Sequence, residues 1–72
     1  MNEWNVVKKI EFDVNDKGDF VEVSSKEHPS TGEIVYGISK GWKNLKGFKK
    51  YKSNIILSKN GKDELISHLQ SL

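Results

Sequence analysis

Seventy-two residues make one domain near the lower limit at which a single core sustains itself, and the absence of cysteine removes both a disulfide staple and a thiolate ligand for zinc. All twelve basic residues are lysine, and the formal net charge of +2 conceals a polarised chain: residues 1 to 39 hold four lysines and eight acids, net −4, whereas residues 40 to 72 hold eight lysines and two acids, net +6. No apolar run is long enough to span a bilayer and no signal peptide is recognisable, so one cytoplasmic domain over residues 1–72 is expected, with no membrane, metal or cofactor.

From Asn5 to Val14 the residues alternate, with Ile10, Phe12 and Val14 on one parity, which predicts a half-buried strand. Asn15-Asp16-Lys17-Gly18 then closes a hairpin with glycine at its left-handed position. Asp19 to Ser25 is the return strand; it carries Phe20 on one face and Val21 and Val23 on the other, and either face can be the inner one. The turn residues Pro29-Ser30-Thr31-Gly32 end it. Alternation resumes over Glu33 to Ser39 through Ile34, Tyr36 and Ile38, with an extension through Trp42.

The fourth strand runs from about Phe48 to Leu57, with Ile55 and Leu57 inward and Lys52, Asn54 and Ile56 on the other parity. Ser58 is a good N-cap, and Leu65, Ile66, Leu69 and Leu72 follow at helical spacing. Gly61, which costs about 1 kcal/mol against alanine in a helix, weakens the first turn. The expected fold is therefore α+β, a four-stranded antiparallel sheet followed by a C-terminal helix.

The functional signal lies between Lys40 and Lys52, where thirteen residues hold six lysines, three large aromatics and no acid. Lys40-Gly41-Trp42-Lys43 returns as Lys46-Gly47-Phe48-Lys49, so each copy sets one ring between two ammonium groups, and Asn44-Leu45 between them suggests that the copies are the arms of a second hairpin tip. Single-stranded DNA or RNA offers phosphates for such lysines and flat bases for such rings. The candidate contacts from this stretch are Lys40, Trp42, Lys43, Lys46, Phe48, Lys49, Lys50, Tyr51 and Lys52. Without arginine the fork geometry that reads guanine is missing, and binding is expected to tolerate any sequence.

Two competing readings exist. The three rings can instead be core residues of a small β-protein, with the lysines a solvated face. Alternatively, the chain is a small protein-binding factor or inhibitor that docks its basic aromatic segment on an acidic or nucleic-acid-binding surface of another protein. A homodimer is expected in either binding case, because so short a chain has little core and its helix carries more apolar surface than one sheet needs.

The segments "FDVNDKGDFVEVSSKEH" and "GFKKYKSNIILSKNGKDELISHL" resemble the Pur-alpha type of single-stranded nucleic-acid binder, with the positive-cofactor-four coactivators and the Whirly proteins sharing the general architecture. Phe12-Asp13-Val14, Gly18-Asp19-Phe20 and Phe48 to Lys52 carry the likeness, which covers Lys9 to Leu72. It implies a curved sheet that binds single strands and chains that pack through their helices. It adds Phe20 to the candidate contacts and supports Phe48, Lys50 and Lys52 as sheet-face contacts, while Trp42 lies outside it.

Other signals do not point to an enzyme. Gly37-Ile38-Ser39-Lys40-Gly41 matches the G-x-S-x-G pattern but lacks the following helix and large sheet that the chemistry needs. His28 and His68 stand forty residues apart without ligand spacing, so both are expected to be solvated.

Overall fold

A computed structural model describes residues 4–72. Four strands, β1 (Asn5–Asp13), β2 (Asp19–Glu27), β3 (Ile34–Lys43) and β4 (Lys49–Leu57), form an antiparallel sheet in the order β1-β2-β3-β4, and α1 (Lys59–Gln70) follows. The expected ββββα order is the observed one. The bounds differ by one or two residues: β2 reaches Glu27 and not Ser25, β3 runs one residue past the expected Trp42, and β1 and β4 stop short of Val14 and Phe48.

The two hairpin tips at one end of the sheet are built alike. Asn15 Oδ1 accepts from the backbone N–H of Lys17 at 2.9 Å, and Asn44 Oδ1 accepts from those of Lys46 at 2.9 Å and Phe48 at 3.0 Å. Gly18 and Gly47 then take φ values of 97° and 87°, a left-handed conformation that a side chain would disfavour. The sequence Asn-x-Lys-Gly thus encodes both turns. By contrast, the two Lys-Gly-aromatic-Lys copies are not equivalent: the first completes β3, whereas the second makes the turn and enters β4.

Two bulges change which way side chains point. The pairing of β1 with β2 slips between Val6 and Lys8, leaving Val7 unmatched, and that of β3 with β4 slips at Lys40/Gly41, leaving Lys52 unmatched. An extra residue reverses the parity of everything beyond it. Ile10, Val23, Ile38 and Ile55 are cross-strand neighbours and share one face, with Phe12 and Val21 in the next row. Phe20, Gly41 and Tyr51 share the other, so the bulge at Lys52 moves Tyr51 away from the parity of Ile55.

The helix lies on the Ile10–Val23–Ile38 face. Ser58 caps it, its hydroxyl accepting from the Gly61 N–H at 3.2 Å, and Lys59 pairs with Asp63 one turn on at 3.1 Å. Leu65, Ile66 and Leu69 line a cleft of about 370 Å³ with Ile10, Val23, Tyr36, Ile38 and Leu57. Lys62 Nζ sits 4.3 Å above the centre of the Tyr36 ring and closes one side. Contacts of α1 are with β3 and β4, so the apolar surface of β1 and β2 on this face stays open.

The opposite face holds Phe20, the one large hydrophobic side chain fully buried among the described residues. Tyr51 meets it edge-on with ring centres 5.5 Å apart. Gly41 lies directly beneath, where a Cβ would stand 2.8 Å from Phe20 Cζ, so only glycine admits the ring at this depth. Such burial contributes about 1.5–3 kcal/mol, and the edge-to-face pair about 0.5–1.5 kcal/mol more.

At the other end of the sheet His28 organises the β2–β3 loop. Its Nδ1 accepts from the N–H groups of Ser30 at 3.1 Å and Thr31 at 3.3 Å, and its ring meets Trp4 edge-on at 4.8 Å. His28 is half-buried and structural, which corrects the expectation of a solvated side chain. His68 is exposed on α1, 3.1 Å from Glu64.

Candidate nucleic-acid interface

The candidate contacts fall into three groups. Phe20 is wholly enclosed, so it cannot meet a ligand directly; the ring belongs to the core because the Gly41 gap admits it and Tyr51 covers it. This overturns its assignment as a sheet-face contact.

Lys43, Lys49 and Tyr51 stand over Phe20 in a polar network that crosses the sheet. Glu11 on β1 accepts from Lys43 Nζ on β3 at 3.2 Å and from Lys49 Nζ on β4, and Asp13 pairs with Lys43 at 2.9 Å. Tyr51 Oη donates to Glu22 at 3.0 Å, and Lys9 lies 4.0 Å from the same carboxylate. Neighbouring strands lie about 4.8 Å apart, so side chains standing upright on β1 and β4 of a flat sheet would not meet. The Glu11–Lys49 contact places the curl of the sheet toward this face, over Phe20.

Each ionisation responds accordingly. The hydrogen bonds from Lys49 and Lys43 hold the Glu11 carboxyl below its ordinary value. Asp13 and then Glu11 raise Lys43, Glu11 raises Lys49, and the bond to Glu22 raises the Tyr51 phenol. The network keeps both lysines charged but already satisfied.

The third group is free of acids. Lys40, Lys46, Lys50 and Lys52 are exposed and form no ion pair with any described residue. The register sets Lys40 and Trp42 on β3, with Lys50 opposite Trp42 on β4, on the helix-bearing face but at its far end, beyond the rows that α1 contacts. Lys52 is the unmatched bulge residue on the edge strand, and Lys46 and Phe48 lie in the second tip, where Phe48 is 74% exposed.

Trp42 joins the two tips. It is 40% exposed, and its indole N–H donates to the Lys17 carbonyl at 2.9 Å, while Lys43 N–H donates to the Gly18 carbonyl at 2.9 Å. The ring thereby forms a wall of an open groove of about 610 Å³ between the tips, lined by Lys17, Lys43 and Lys46 and also by the acids Asp13 and Asp16. Leu45, at the crest of the second tip, is fully exposed beside it. The Asn15–Gly18 turn was legible in the sequence, but its recurrence at Asn44–Gly47 and the role of Lys17 as the acceptor for Trp42 were missed; the repeat of the four-residue pattern was the available signal.

Among the described residues no group of three or more His, Cys, Asp or Glu side chains is placed to hold a metal ion, and no helix is long and apolar enough to cross a membrane. No family model matches the chain, and no curated protein or solved structure matches it significantly.

Proposed function

We propose that the protein binds single-stranded DNA or RNA, with little regard to sequence, through the β3–β4 hairpin. The observation that carries this reading is the set of four exposed lysines without acid partners, Lys40, Lys46, Lys50 and Lys52, around the accessible rings of Trp42 and Phe48. The ammonium groups neutralise phosphates and release counterions, and each stacked ring contributes about 1–3 kcal/mol per base. Trp42 is held in place by its bond to Lys17, which limits the ordering cost of stacking on it.

The active form in this reading is a homodimer. Phe20 is the sole fully buried large hydrophobe among the described residues, while Ile10, Phe12, Ile55, Ile66 and Leu69 remain 44–58% exposed around the helix. A stable interface removes roughly 800 Å² from each partner and has an apolar centre within a polar rim, and these half-open side chains on one face supply such a centre. A second copy placed against this face covers them and leaves the hairpin tips free.

The test is quenching of tryptophan fluorescence on titration with oligo-dT at low salt. Saturable quenching that is weakened in Lys50→Ala and Lys52→Ala supports the reading. Absence of binding to oligo-dT and to oligo-U, with retained binding to an acidic protein surface, would assign the hairpin to protein docking instead.

A further inference from the structure

Lys43 and Lys49 occupy paired positions on adjacent strands, and both ammonium groups reach one carboxylate, that of Glu11, while Lys43 is also paired with Asp13 at 2.9 Å. A phosphodiester and a carboxylate offer the same thing to such a pair, a compact anion whose oxygens accept charge-assisted hydrogen bonds. Glu11 reaches this position from β1, the strand at the far edge of the sheet, and not from a sequence neighbour. Tyr51 Oη, the next polar group along β4, is likewise turned to an acid of the first hairpin, Glu22. The acidic first half of the chain thus pairs with the basic second half on one face; on the other, Asp19 lies opposite Trp42, but Lys40 and Lys50 form no ion pair with any described residue.

We propose that Lys43 and Lys49 form a second phosphate site, on the face over Phe20, which Glu11 bridges in cis with Asp13 at its Lys43 end, and which a nucleic-acid strand gains only by displacing Glu11. This rests on the reading of the hairpin as a nucleic-acid binder and adds its regulation. The bare lysines Lys40, Lys46, Lys50 and Lys52 make the first contacts, and Glu11 sets how far the strand can wrap around the β4 edge. The lowered carboxyl and raised lysine ionisations agree with a well-satisfied cluster. Displacement exchanges one anion for another, so its energetic cost is small beside that of exposing two unpaired charges.

The experiment measures affinity for labelled oligo-dT by fluorescence anisotropy across a salt series. Glu11→Gln keeps the shape of the side chain and removes its charge; affinity rises about three- to tenfold and the salt slope steepens by roughly 0.7 for each added phosphate contact. Glu11→Asp keeps the charge but retracts it by one methylene, and affinity rises in the same direction. Glu33→Gln removes the same charge from an exposed acid that has no ion-pair partner among the described residues, and affinity changes less than twofold. Adding Lys49→Ala to Glu11→Gln abolishes the gain. Equal gains in Glu11→Gln and Glu33→Gln would show a mere net-charge effect and overturn the proposal. It is also overturned if folded Glu11→Gln and Glu11→Asp bind no better than the parent while the parent still binds; in that case the hairpin reading stands and this site does not. Failure of the parent itself to bind at low salt removes both.

Discussion

Trp42 of β3 donates its indole N–H to the carbonyl oxygen of Lys17 at 2.9 Å, which ties the second hairpin to the turn of the first. The ring is consequently part structure and part surface. Trp42→Phe keeps a stackable ring and loses the bond, so it retains most of the affinity for single strands and costs about 0.5–1.5 kcal/mol of stability. Trp42→Ala loses the ring as well, and affinity falls by about 1–3 kcal/mol. Equilibrium unfolding and oligo-dT titration of the two variants separate these effects; equal affinity loss in both would tie binding to the tip geometry and not to stacking.

Gly41→Ala inserts a methyl group against Phe20 and the Lys50 carbonyl, at 2.8 Å and 2.6 Å. Overpacking of this kind costs about 1–3 kcal/mol, and each kcal/mol lowers Tm by about 4–8 °C in a domain of this size. Thermal unfolding reads the loss. An unchanged Tm would mean that Phe20 is not seated as described.

The ion network sets a pH window. Glu11 titrates below its ordinary value of 4.5, so its contribution to stability is full above that pH and is lost as pH falls through the lowered folded value. Lys43 and Lys49 titrate above their ordinary 10.5; their contribution is full below that pH and is lost as pH rises through the raised values. Denaturant midpoints should therefore hold a plateau between these limits, and Glu11→Gln should lower the plateau and flatten the acid limb. An acid limb identical in parent and variant would contradict the pairing.

Ile66→Glu places a charge on the apolar face beside Leu69 and Ile10. Sedimentation at micromolar concentration should show a dimer for the parent and a monomer for this variant. A parent that sediments as a monomer contradicts the dimer.

The order of elements was legible because alternation, the Asn15–Gly18 turn, the placement of Asn44-Leu45 between two Lys-Gly-aromatic-Lys copies and the Ser58 cap all act locally. What sequence could not show depends on single extra residues and on curvature. The bulge at Lys52 leaves no compositional mark, yet it turns Tyr51 onto Phe20. Alternation in β2 permitted either face to be inner, and the choice of Phe20 follows from Gly41 on the neighbouring strand, where no Cβ blocks the ring. Glu11 and Lys49 are thirty-eight residues apart, so their pairing follows only from the curl of the sheet. That pairing divides the six lysines of the stretch into two that are satisfied, Lys43 and Lys49, and four that are free, a distinction invisible in the run of lysines itself.

The most direct test of the account is the salt dependence of oligo-dT binding by the parent protein. With three or four of the free lysines engaged, log K should fall against log salt with a slope of roughly −2 to −3. A slope near zero, or no binding at low salt, would contradict it.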